Sequence, residues 1–295
     1  MRSPLGRHIR QLLVVAISLG LVLAAAPAAA APGFPDPAPV TGDTRVHDPA
    51  MVRAPDGTYI LVATGDNLQT LTSTDRVDFQ RAGAVWPDGA PWTTQFTLGS
   101  PVLWAPDISR HNGRYYLYYS ASSFGSQNSA IFLATSETAM PGSWTHHGVV
   151  TQTSSANDYN AIDPNLVVDA SGRWWLSFGS FWSGLKMIRI DPATGMRHAG
   201  DQTLYDLAQR PLGVDGAVEA PFIIRHGGFY YLFASFDFCC RGTDSTYRVM
   251  VGRSRSITGP YVDRAGVPMM SGGGTEILAT HGGVHGPGHE ALIRD

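Results

Sequence analysis

The chain has 295 residues, 43% of them hydrophobic, with 33 glycines, 20 prolines, 15% charged residues and a formal net charge of −3. That balance describes a turn-rich, mostly β globular protein and excludes a disordered chain, which would carry more charge and fewer apolar residues. There is no basic run beyond the N-terminus, hence no electrostatic footprint for a phosphate backbone, and nucleic acid is excluded as a partner.

The N-terminus reads as an address. Arg2, Arg7, His8 and Arg10 precede an apolar run from Leu12 to about Ala26, followed by the small-residue stretch PAAAAPG. This is the three-part pattern of a secretory signal peptide, with cleavage expected near Ala30 and export of the mature protein to the extracellular space. The alternative, a membrane anchor, needs ~20 continuous apolar residues. Residues 1–30 are therefore assigned to the signal, 31–45 to a Pro/Gly-rich lead-in, and 46–295 to the main domain, with no membrane association after cleavage.

From His47 onward one unit recurs: an acid, a proline, an apolar run, a Gly-centred turn and an aromatic strand. The copies read HDPAMVRAPDGTYILVATG from His47, WAPDISRHNGRYYLYYSA from Trp104, NAIDPNLVVDASGRWWLSFGS from Asn160 and VEAPFIIRHGGFYYLFAS from Val218. A fifth start, GPGHEALIRD, begins at Gly286. The prolines at 49, 106, 164 and 221 set a period of 57, 58 and 57 residues. Asp-Gly, Asn-Gly, Ser-Gly or Gly-Gly at the centre of each copy is hairpin chemistry. Third strands are expected at SAIFLATSE, GLKMIRID and YRVMVGRS. One hairpin cannot bury its own apolar face, and blades of about 40 to 50 residues stack around an axis, so the spacing predicts an all-β, five-bladed β-propeller. A β-sandwich of unrelated hairpins is the alternative.

Cys239 and Cys240 are neighbours. Standard bridge geometry wants Cα atoms at least about 4.4 Å apart, and metal ligation needs further donors. They read as a structural pair in the loop after the fourth hairpin, with a vicinal disulfide as one form of it.

In a propeller the heads of the repeats converge, although they are far apart in sequence. Asp48, Asp163 and Glu219 stand at or one residue short of that position, and His289 stands at the fifth head. Crowded carboxylates repel as anions, so at least one should stay protonated near neutral pH. An acid beside a base is what glycoside hydrolysis requires. Trp104, Phe124 and Trp182 supply flat faces for a sugar ring. Asp107 lies on the other side of its proline and is read as structural, whereas His289 could hold a cation or tune an acid.

The motifs HDP, WAPD, SFGSQNSAI, NAIDP with SFGSFWSG, GVDGAVEAPF and GPGH together resemble the arabinanases of glycoside hydrolase family 43, inverting enzymes on a five-bladed propeller. The resemblance runs from Val46 to the last residue. It implies that Asp48 is the general base, Glu219 the general acid, and Asp163 the residue that orients that acid and raises its pKa. It also implies that Phe124, Gly125, Asn160, Ser180 and Trp182 line sugar subsites, and that His289 with waters holds a calcium-like ion. The implied substrate is plant cell-wall arabinan or arabino-oligosaccharides, cut internally at α-1,5 linkages by a monomer. Family members run on to finish the fifth blade, so here that blade is expected to be incomplete at Asp295. Three alternatives remain: an exo-acting arabinofuranosidase or β-xylosidase of the same family, a non-catalytic glycan-binding propeller, and a retaining fructan-type hydrolase. The last would carry Arg-Asp-Pro and Glu-Cys heads, where this chain has IDP and VEAP.

Overall fold

The computed structural model describes residues 33–34 and 36–293. The signal peptide expected at 1–30 lies outside the described residues. No helix among the described residues is long and apolar enough to cross a membrane.

Residues 34–293 form a β-propeller in which four blades are described as sheets. The first blade comprises β1 (Thr41–Gly42), β2 (Ala50–Arg53), β3 (Tyr59–Ala63), β5 (Gln69–Ser73) and β6 (Asp78–Ala84), while β4 (Gly65–Asp66), between β3 and β5 in sequence, belongs to the next sheet. The second holds β7 (Val102–His111), β8 (Arg114–Ala121), β9 (Ser129–Ser136) and β10 (Thr145–Thr153). The third holds β11 (Asn165–Val168), β12 (Trp174–Phe178), β13 (Leu185–Ile190) and β14 (Tyr205–Ala208). The fourth holds β15 (Val218–His226), β16 (Phe229–Phe236), β17 (Arg248–Ser254) and β18 (Thr275–Leu278). Within each blade the order is an antiparallel meander from the innermost strand outward. The lead-in does more than connect, because β1 pairs in parallel with the outermost strand β6, Thr41 opposite Asp78. β4 pairs with β7 of the second blade.

The first strands lie side by side, β2 against β7, β7 against β11 and β11 against β15, which brings the repeat heads together. Each head bends the same way. The residues at 48, 105, 163, 220 and 289 all have positive φ: Asp48 48°, Ala105 45°, Asp163 58°, Ala220 53° and His289 50°. Non-glycine residues in this left-handed region are uncommon and cluster at functional sites. Hydroxyls at the ends of second strands latch successive heads. Thr64 Oγ1 accepts from Ala105 N–H at 2.8 Å, Ser120 Oγ from Asp163 N–H at 3.1 Å, and Ser235 Oγ from His289 N–H at 2.7 Å.

The core lies between blades. Alternate residues of a strand face opposite sides, so β8 sends Leu117 and Tyr119 toward the first blade and Tyr118 toward the third. Likewise β12 gives Trp174 and Leu176 to the second blade and Trp175 to the fourth. Strands buried on both faces therefore read as unbroken apolar runs. Full burial of each such side chain contributes roughly 1.5–3 kcal/mol. Asp107, read from sequence as structural, is buried and bridges blades: it accepts Leu166 N–H at 2.8 Å and Asn165 Nδ2–H at 3.1 Å.

Candidate active site

The converging heads floor a cleft of about 890 Å³. All ten residues singled out from sequence line it: Asp48, Trp104, Phe124, Gly125, Asn160, Asp163, Ser180, Trp182, Glu219 and His289.

Asp48 is held on both oxygens. The Thr64 hydroxyl donates to Oδ2 at 2.7 Å, while Nδ1 of His47 and Nδ1 of His289 stand 2.6 and 3.2 Å from Oδ1. Burial alone would raise this carboxyl, but His289, His47 and Thr64 outweigh it and bring it down to about 2. Glu219 has the opposite setting. Burial lifts it to about 7, against a hydrogen bond from the Tyr247 hydroxyl to Oε1, with the charge of Asp48 adding and His47 opposing. Asp163 is buried, and burial first, then the charges of Glu219 and Asp48, raise it well above the carboxylate range. Its Oδ2 accepts the N–H of Ala220, the neighbour of Glu219, at 3.1 Å. Burial is the main cause of the Glu219 shift and the Asp48 charge adds to it, while Asp163 and Glu219 face each other as a buried acidic pair, each disfavouring ionisation of the other. The three acids thus divide into Asp48, ionised at neutral pH, Asp163, held neutral, and Glu219, which titrates near neutrality, and such a division sets apart a base from an acid.

The walls are aromatic. Phe124 is 88% exposed and lies beside Gly125, whose φ of +74 suits a residue without Cβ. Phe181 and Trp182 are consecutive left-handed residues, φ 51° and 43°. Gly216 is packed so closely behind them that a Cβ there would lie 3.1 Å from the Trp182 carbonyl oxygen. Asn160 Nδ2 donates to Ser180 Oγ at 3.1 Å, and its buried Oδ1 has no hydrogen-bond partner. A hydroxyl-bearing ligand would satisfy that acceptor.

Residues 38–295 match the sequence profile of glycosyl hydrolases family 43. The chain belongs to that family. Among its relatives, the extracellular endo-α-(1→5)-L-arabinanase 1 of Bacillus subtilis (strain 168) is 42% identical over 253 residues, covering 84% of this chain and 77% of the relative. The extracellular exo-α-(1→5)-L-arabinofuranosidase ArbA of Cellvibrio japonicus (strain Ueda107) is 40% identical over 261 residues, 83% of this chain and 74% of the relative. A solved family 43 endo-arabinanase from Bacillus licheniformis superposes with a TM-score of 0.82 at 45% identity, covering 86% of this chain and 87% of that one.

In this family 43 chain, three residues whose side chains contact the acids, His47, Thr64 and Tyr247, have no role assigned from sequence. His47 occupies the place in its repeat that Glu219 and Trp104 occupy in theirs, one before the left-handed residue, so alignment on that residue would have flagged it. Tyr247 had no such signal, because it meets Glu219 only when the hairpin of β16 and β17 closes. The cysteine pair is a disulfide, Cys239 to Cys240, with Cα atoms 3.8 Å apart, and it lines the cleft.

Proposed function

We propose that this chain is a secreted glycoside hydrolase that cleaves α-1,5-arabinofuranosyl linkages within arabinan, with inversion of configuration. The observation that carries the reading is the pairing, across one aromatic-walled cleft, of a carboxylate held ionised at Asp48 with a carboxyl at Glu219 raised to about 7, where it can still carry a proton to give. Asp48 takes a proton from water as it attacks the anomeric carbon, and Glu219 gives its proton to the departing sugar oxygen. Asp163 fixes the backbone beside Glu219 through Ala220. Trp104, Phe124 and Trp182 present ring faces to the sugars, with Gly125, Asn160 and Ser180 completing the subsites. Secretion is supported by the N-terminal charge and hydropathy pattern and by two relatives named extracellular.

The fifth head belongs to the same reading. His289 adopts the left-handed geometry of the other four heads and is latched to Ser235 as Ala105 is to Thr64 and Asp163 to Ser120, which supports a five-bladed propeller with a fifth blade starting near Gly286.

A divalent ion at the axis fits the side chains in part. Among the described residues no group of three or more His, Cys, Asp or Glu converges on a metal position, so an ion here would be held mainly through water. His289 would supply an imidazole nitrogen, and the buried Oε1 of Glu290, which has no hydrogen-bond partner, is an oxygen suited to a hard cation. Such an ion would add positive charge near the base. Calorimetric titration of chelator-treated protein with calcium is expected to show one site that His289→Ala removes. An unchanged titration in that variant would leave His289 a partner of Asp48 with no part in ion binding.

Incubation with linear arabinan, following product lengths over time, tests the mode of action. Oligosaccharides of mixed length early in the reaction are expected. The exo relative keeps a second reading in view, and release of one short product from the outset would establish it instead.

A further inference from the structure

The Cys239–Cys240 disulfide is a covalent feature of the cleft that hydrolysis itself does not use. Its residues are adjacent, so the bridge closes no intervening chain. The stabilisation a disulfide gives by restraining the unfolded chain grows with loop length, and here it has almost nothing to act on. The value of the bridge must therefore be local.

Its surroundings are rigid on one side and catalytic on the other. The loop between β16 and β17 is anchored at its base by Asp237, which pairs with Arg210 at 2.5 Å and with Arg248 at 2.7 Å. Its neck is closed by Thr246 N–H to the Phe238 carbonyl at 2.9 Å and by Phe238 N–H to Thr246 Oγ1 at 3.2 Å. At the tip, Cys240 is left-handed, φ 66°, and its Sγ lies 3.7 Å from Nε2 of His47. The other nitrogen of the same ring is 2.6 Å from Asp48 Oδ1. The His47 side chain is 57% exposed, so burial does not select its rotamer. The ring is fixed by what touches its two ends, a carboxylate on one side and a disulfide sulfur on the other.

We propose that the Cys239–Cys240 disulfide is a positioning element for the base. By backing His47 it holds the imidazole that orients the Asp48 carboxylate, and opening the bridge slows turnover while the cleft still binds substrate. The inference rests on Asp48 acting as the base. Reduction by a dithiol breaks the S–S bond, delivers two electrons and two protons to give two thiols, and leaves the dithiol as its own disulfide. Cys240 Sγ is then free to turn about its Cα–Cβ bond, away from His47.

The test compares kcat and KM on linear arabinan before and after exposure of the folded protein to a dithiol, with titration of the thiols released. A Cys239→Ser/Cys240→Ser variant and a His47→Ala variant are run alongside. Reduction is expected to release two thiols per chain and lower kcat about five- to tenfold with KM changed less than about twofold, an effect in the range of coupled neighbours. Reoxidation should restore it. The serine variant should show the lowered kcat without any dithiol, and the dithiol should have no further effect on His47→Ala. The proposal is overturned by full kcat in the serine variant, by a loss confined to KM, or by an undiminished dithiol effect in His47→Ala. A turnover that survives Asp48→Ala would instead overturn the base assignment, whatever the bridge does.

Discussion

Replacing Asp48 with alanine is expected to lower kcat by about 10³- to 10⁴-fold, equally on linear arabinan and on activated aryl arabinofuranosides. The equality follows from the role. Water must be deprotonated as it attacks whatever the leaving group is, so a better leaving group cannot compensate. The structure gives Asp48 the means: a carboxyl brought down to about 2, with Thr64, His47 and His289 setting its orientation. Steady-state rates on both substrates check this. Retention of more than about a tenth of the activity on either would remove Asp48 from the role of base, since a general base contributes at least about 10²-fold.

Glu219→Ala should damage the two substrates unequally. On arabinan, whose leaving sugar oxygen needs a proton, a fall of about 10²- to 10⁴-fold is expected; on an aryl glycoside with a good leaving group the loss should be under about tenfold. The pH profile gives the matching sign. Burial raises Glu219 to about 7, and its protonated form is the active one, so activity on arabinan is present below that pH and lost as pH rises through it. In Glu219→Ala acting on the activated substrate, that alkaline limb should disappear. Equal losses on both substrates would show that Glu219 does not protonate the leaving group.

The fold was legible because one signal was repeated. The proline register and the Gly-centred turns fixed the hairpins. Strands such as β12, buried on both faces, kept their identity through length and aromatic content where alternation was masked. Convergence of Asp48, Asp163 and Glu219 followed from topology alone, since equivalent heads must meet at the axis. What could not be read was the electrostatic ordering of the three. That depends on depth of burial and on partners such as Tyr247 and Thr64, which belong to other strands and carry no periodic mark. The parallel pairing of β1 with β6 was hidden for a similar reason, because a two-residue strand leaves no pattern. His47 was visible as a letter in the first motif but meaningless until its ring was seen between Asp48 and Cys240.

With Asp48 activating water directly and Glu219 protonating the leaving oxygen, the sugar must be released with inverted configuration. Proton NMR of the first turnovers on linear arabinan, recorded before the new reducing ends mutarotate, should show the β-anomer appearing first from the α-linkage. First appearance of the α-anomer would mean that a carboxylate attacks the sugar and that the division of labour between Asp48 and Glu219 is wrong.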